Sequence, residues 1–137
     1  MPRLNRVLET SLYVDDMDLA AAFYETVLGL RRLTDDSRIM AYDVAGRSVL
    51  LLFRRGGTLD AVHLPGGTIP PHDGSGPLHV AFAIDAGDLP AWEERLVEHG
   101  VAIEGRTRWP RGGESIYFRD PDGHLLELAT PGLWATY

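Results

Sequence analysis

The chain has 137 residues, 45% hydrophobic and 24% charged, the make-up of one ordinary globular domain rather than a disordered or fibrous chain. Its 13 Lys and Arg against 20 Asp and Glu give a net charge of −7, which argues against a general nucleic-acid or anionic-membrane surface. There is no cysteine, so disulfides, thiolate metal sites and cysteine nucleophiles are excluded.

The first element is an alternating run, Arg6 to Val14, with Leu8, Thr10, Leu12 and Val14 on one face and Val7, Glu9, Ser11 and Tyr13 on the other, a pattern that predicts a strand. Residues 1–15 contain no apolar signal core, and no apolar run approaches the roughly 20 residues of a spanning helix; a cytoplasmic protein is the expectation. A helical stretch follows and ends at Gly29-Leu30, and further strands close on Val49 to Phe53. Residues 55–78 are crowded with Gly and Pro, too long for an ordinary connection, and read as either a functional flap or a mobile linker. His63 and His72 lie there, where histidines are usually solvated.

Past this segment His79 opens a strand. A helix begins at Asp88, a predicted N-cap, with Pro90 in its first turn and an apolar stripe of Leu89, Trp92, Leu96 and Val97 that Gly100 stops. Strands at Ser115–Arg119 and Leu125–Thr130 are joined by Asp120-Pro121-Asp122-Gly123, a strong turn signal.

The two halves are copies of each other. Leu12-Tyr13-Val14-Asp15 with Asp18-Leu19 recurs 70 positions later as Phe82-Ala83-Ile84-Asp85 with Asp88-Leu89. The same offset relates Glu9 to His79, since 79 − 9 = 70. Glu127, in the middle of the last strand, has Leu51 as its counterpart. A carboxylate inside an apolar strand costs several kcal/mol unless it is paired or neutralised. Two carboxylates converging on a cleft repel unless a cation lies between them. Glu9, His79 and Glu127 are all competent metal ligands, and three protein ligands leave room for water or substrate, as catalytic sites require. The competing reading makes Glu9 and His79 solvated surface groups.

Leu8 to Asp16, Ala22-Phe23-Tyr24 with Leu28-Gly29-Leu30, His79-Val80-Ala81-Phe82, and Tyr117 to His124 leading to Glu127 together resemble the vicinal oxygen chelate superfamily, which includes glyoxalase, bleomycin-resistance and extradiol dioxygenase-like proteins. The resemblance covers roughly residues 5–131. It implies an α+β fold: two βαβββ modules forming a cupped, strongly curved mixed sheet with helices outside. The modules would span about 5–54 and 79–131 of a single domain covering residues 1–137.

The resemblance also implies metal ligands at Glu9, His79 and Glu127, the three residues reached from strand parity, around one divalent ion (Zn, Mn, Ni, Co or Fe). Two departures stand out. The first-strand ligand is commonly His or Gln but is Glu9 here, and the slot of a fourth ligand, a proton-transferring Glu in glyoxalase I, is Leu51. Catalytic roles fall to Glu127 and Tyr117, and substrate contacts to Ser11, Tyr13, Trp109, Ser115 and Tyr117. His124 belongs to the turn and is not expected to be a ligand.

The implied function is a divalent-metal-dependent enzyme (lyase or isomerase, transferase or dioxygenase) whose small substrate chelates the metal through vicinal oxygens. The alternative is a metal-free, drug-sequestering protein of the bleomycin-resistance type. A homodimer, a small-molecule partner, and no nucleic acid or membrane complete the expectation.

Overall fold

A computed structural model describes residues 1–34 and 36–137. The chain forms two compact units, Met1–Gly76 and Pro77–Tyr137. The first holds β1 (Glu9–Val14), α1 (Met17–Thr26), β2 (Arg31–Arg32), β3 (Ile39–Val44), β4 (Ser48–Arg54), β5 (Val62–Leu64) and β6 (Gly67–Ile69). The second holds β7 (His79–Ala83), a short 3-10 turn at Ala86–Asp88, α2 (Leu89–Glu98), β8 (Gly105–Arg108), β9 (Glu114–Arg119) and β10 (Leu125–Ala129). No helix among the described residues is long and apolar enough to cross a membrane.

Each unit contains a four-stranded mixed sheet of the same plan, β1-β4-β3-β2 in one and β7-β10-β9-β8 in the other. The first strand of each runs parallel to its neighbour, and the other pairings are antiparallel. Such a parallel pair needs a long crossover, which α1 and α2 with their following strands supply. The repeat seen in the sequence is therefore a repeat of strand register. Glu9 lies opposite Val49 and His79 opposite Leu125; two residues on, Ser11 faces Leu51 and Ala81 faces Glu127.

The first sheet buries Leu12, Val14, Met40, Tyr42, Leu50 and Leu52 on one face. Helix α1 covers that face. Its buried positions Met17, Ala20, Ala21 and Tyr24 follow the helical period, and Tyr24 packs on Tyr42 with ring centroids 6.2 Å apart. The Asp16 carboxylate caps α1 by accepting from Leu19 N at 2.9 Å. Gly29, at φ +67°, lets Leu30 N–H reach back to Tyr24 O. In the second unit Ile116, Phe118, Leu126 and Leu128 form the equivalent face. Arg106, which shares their parity through its pairing with Ile116, makes an ion pair with Glu93 of α2 and so marks the side on which that helix lies.

Several expectations need correction. The first strand was expected over Arg6–Val14 but begins at Glu9, where the parallel register with β4 starts opposite Val49, whose N–H donates to Leu8 O. Val7 and Leu8 are consequently exposed. The last strand ends at Ala129 rather than Thr130, although the Thr130 N–H still donates to Glu114 O in the β9–β10 register. Asp88 makes no side-chain cap, since it already has helical dihedrals at the end of the 3-10 turn. Val97 is outside the buried stripe of α2, which consists of Leu89 and Leu96.

The Asp120-Pro121-Asp122-Gly123 turn behaves as its composition predicts. The Asp120 carboxylate accepts from Asp122 N and His124 N, and Gly123 sits at φ +81°. His124 is fully buried, and its Nδ1 accepts Leu78 N–H at 2.9 Å, tying the turn to the start of β7.

Glu25 joins helix and sheet in the first unit, accepting from Arg32 and from the Tyr42 hydroxyl at 3.1 Å. Burial, with the Glu25 charge second, pushes the Tyr42 hydroxyl up to about 12. The folded state thus favours protonated Tyr42, and its contribution is complete below the ordinary tyrosine value near 10 and is lost as pH rises through about 12. Denaturant unfolding between pH 9 and 12 is expected to show this decline, and Tyr42→Phe to flatten it.

Candidate metal and ligand sites

The polar face of the second sheet is set by register. Paired residues point the same way, so His79, Ala81, Ser115, Tyr117 and Glu127 share the face opposite the helix. Tyr117 stands directly across from Glu127, and Ser115 is one pair further along, opposite Ala129. Four of the residues singled out from the sequence are therefore brought together on one surface.

Glu127 is buried (side chain 6% exposed) while its neighbour His79 is half open to solvent at 49%. His79 Nδ1 lies 2.8 Å from Leu125 O. A carbonyl can only accept, so Nδ1 carries the proton and Nε2 is left with its lone pair in the neutral ring. That Nε2 sits 3.2 Å from Glu127 Oε2. Two electron-rich atoms thus face each other, while Oε1 of the same carboxylate is buried with no hydrogen-bond partner. A proton on Nε2 would answer Oε2 and leave Oε1 unmet. A divalent cation held by Nε2 and the carboxylate answers both atoms, and the Leu125 carbonyl then serves as the outer partner that orients a metal-bound imidazole. The residues fit a metal.

Trp109 is half-buried, and its indole N–H donates to Ser115 Oγ at 2.8 Å. It therefore fixes the Ser115 hydroxyl instead of standing as a free apolar wall. Glu9, Ser11 and Tyr13 share the corresponding face of the first sheet and belong to the first unit. Glu9 is exposed there. No group of three or more His, Asp or Glu positioned to hold a metal occurs among the described residues.

The first unit has a cavity of about 710 Å³, floored by Ser11, Tyr13, Leu51 and Phe53 and walled by the β5–β6 hairpin. Tyr13 OH is 2.6 Å from His72 Nδ1, and Phe53 completes an aromatic cluster with both rings. His72 is held at its backbone by Thr58: its N–H donates to Thr58 O, and its carbonyl accepts from Thr58 Oγ1 at 2.5 Å. Gly74 lies so close to Tyr13 that a Cβ there would come within 2.3 Å of the ring. Sequence reading placed His72 in a breaker-rich loop and gave it no partner, because nothing local connects residues 59 apart.

Comparison with known proteins gives a consistent result. Residues 3–128 match the family model of the Glyoxalase/Bleomycin resistance protein/Dioxygenase superfamily. The chain is 34% identical over 118 residues to the metallothiol transferase FosB of Bacillus licheniformis, covering 85% of this chain and 70% of that protein. It is 36% identical over 129 residues to FosB of Shouchella clausii, covering 93% and 81%. The crystal structure of a lactoylglutathione lyase from Agrobacterium tumefaciens matches at TM-score 0.87 and 34% identity, covering 98% of this chain and 99% of that one. The fosfomycin resistance protein FosX of Listeria monocytogenes shares the fold at TM-score 0.65 and 22% identity, covering 95% and 94%.

A buried carboxylate with an unmet oxygen is a stability cost in metal-free protein. Glu127→Leu, which copies the equivalent Leu51 of the first unit, is expected to stabilise the chelator-treated protein by about 1–3 kcal/mol. Urea unfolding in chelator checks this, and a loss of stability would show that the carboxylate has a structural partner.

Proposed function

The chain belongs to the glyoxalase/bleomycin resistance protein/dioxygenase superfamily, and on that premise we propose that it is a divalent-metal-dependent enzyme whose small substrate chelates the ion through adjacent oxygens. The observation that carries this reading is the His79–Glu127 pair, with Oε1 of Glu127 buried and unpartnered. His79 Nε2 and the Glu127 carboxylate are two of the proposed ligands. Glu9 is the third, supplied by this chain or by the second copy in a homodimer. One imidazole and two carboxylates make a hard donor set, suited to Zn, Mn, Ni, Co or Fe. The chemistry such an ion supplies is Lewis acidity towards oxygen charge that develops in the transition state.

The chain's own residues have separable tasks. The Leu125 carbonyl fixes the His79 ring by accepting its Nδ1 proton. Tyr117, across from Glu127 on β9, offers a hydroxyl to the substrate beside the ligands. Ser115 Oγ is already an acceptor for Trp109 Nε1, which leaves its own proton to donate to substrate. Ser11 and Tyr13 are proposed to meet another part of the substrate from the first sheet. Because two of the relatives named above are metallothiol transferases, transfer of a thiol to a small oxygen-bearing electrophile is the first reaction to assay.

Elemental mass spectrometry on tag-free protein tests the reading, with His79→Ala alongside. The expected result is about one divalent ion per chain in the parent, lost in the variant. Protein that stays empty after incubation with Mn, Fe, Co, Ni and Zn would overturn it in favour of a metal-free sequestering protein. Retention of both metal and turnover by Glu127→Ala would overturn the proposed ligand set.

A further inference from the structure

An aspartate followed by glycine is the backbone step most open to attack on itself, because glycine has no side chain to shield its amide nitrogen and leaves the chain free to turn. The reaction needs that nitrogen against the aspartate carboxyl group. The chain has two such steps, Asp73-Gly74 and Asp122-Gly123, and the fold treats them oppositely.

In the second step the nitrogen is committed elsewhere. Gly123 N–H donates to Asp120 O at 3.0 Å, while the Asp120 carboxylate accepts from Asp122 N and His124 N at 3.0 and 2.8 Å. Asp120 and His124 are both buried, so this turn opens only by breaking several hydrogen bonds together. Asp36-Ser37, another step with a small residue after aspartate, is restrained at the carboxylate instead. That group accepts from the Arg38 backbone N–H at 2.9 Å and from its guanidinium at 3.3 Å.

Asp73-Gly74 has neither restraint. Gly74 N–H is directed at the side chain of the residue before it, with the nitrogen 2.8 Å from Asp73 Oδ1. No backbone carbonyl among the described residues competes for that N–H. Residues 70–78 lie in neither helix nor strand, and Asp73, Ser75, Gly76 and Pro77 are exposed, so solvent reaches the carboxyl group and the segment can rotate.

We propose that Asp73 is a site of spontaneous isomerisation to isoaspartate. A bond forms between Gly74 N and Asp73 Cγ, and one carboxyl oxygen leaves as water, carrying the nitrogen's proton and one from solvent. The product is a cyclic succinimide, to which water adds back. Breaking the Cγ–N bond restores aspartate. Breaking the bond from the Asp73 main-chain carbonyl carbon to Gly74 N leaves the chain running through the side chain, as isoaspartate, and the new carboxylate returns the solvent proton. One water leaves and one enters, so mass is unchanged and no oxidant or metal takes part.

The product would act locally. Isoaspartate adds a carbon to the main chain beside Gly74, where a Cβ would already fall 2.3 Å from two carbons of the Tyr13 ring. His72, immediately upstream, is fastened to Thr58 through its N–H and its carbonyl. The displacement therefore falls on the contact between Gly74 and Tyr13.

The test ages the full chain for weeks at neutral pH, folded in buffer and unfolded in guanidinium, and quantifies isoaspartate at each position by peptide mapping with electron-transfer fragmentation. In the folded protein isoaspartate is expected to accumulate several-fold faster at Asp73 than at Asp122. In guanidinium the two rates are expected to converge, through acceleration at Asp122. Asp73→Glu, which would have to close a larger ring, should remove the signal at position 73 and leave that at Asp122 unchanged. In ¹⁵N-labelled protein the aged form should show shifted amides at Tyr13 and His72. Equal rates at the two aspartates in the folded protein would overturn the proposal. So would folding that slows Asp73 as much as it slows Asp122. The outcome is independent of metal content and of the proposed reaction.

Discussion

Parallel pairing of the first strand of each unit with the strand that follows the crossover decides where every side chain of interest stands. In that register Glu9 and His79 open equivalent strands, and Leu51 and Glu127 occupy the equivalent central position two residues further on. Because side chains alternate along a strand, one choice of register puts Glu9, Ser11 and Tyr13 on one surface and His79, Ser115, Tyr117 and Glu127 on another. A slip of a single residue would send all of them to the helix-covered side. The buried rows beneath, with Tyr42 and Leu50 in one unit and Phe118 and Leu126 in the other, make such a slip expensive. The apolar core and the polar faces are therefore two consequences of the same pairing.

The units have diverged at the equivalent central position. Leucine closes the first sheet with an apolar floor, whereas glutamate in the second introduces a carboxylate whose Oε1 has no partner. Sites that bind or react commonly carry such local costs, offset by the surrounding core. Two sheets of one plan therefore carry different chemistry, an apolar cavity over Leu51 in the first and the His79–Glu127 pair in the second.

Period-two alternation and the constant offset made the repeat, the strand parities and the pairing of Glu9 with His79 legible in the sequence, as was the Asp120–Gly123 turn. These are local or periodic signals. The start of β1 was less legible, because where a strand begins depends on the length of the strand beside it. Asp88 failed as a cap because the preceding residues wind into a 3-10 turn, a choice that residue type alone does not encode. The Tyr13–His72 bond was out of reach for another reason. It joins a regular strand to a segment whose glycines and prolines predict only irregularity, and the hairpin inside that segment is too short to announce itself by alternation. Membership of the superfamily was legible in the motifs of both halves, most specifically the turn leading to Glu127 combined with the repeat, which mark the fold but not the reaction.

The Thr58–His72 clasp has a consequence for how this protein tolerates change. The chain is fastened at both ends of residues 59–71, and β5 and β6 between them pair only with each other, so the strand pairing of the first sheet does not depend on this segment. Lengthening a closed loop adds only a logarithmic entropic term. Residues 59–71 are thus an exchangeable cassette, whose length and composition can drift or be grafted while the clasp, the Tyr13 floor and the β1–β4 ladder keep their places.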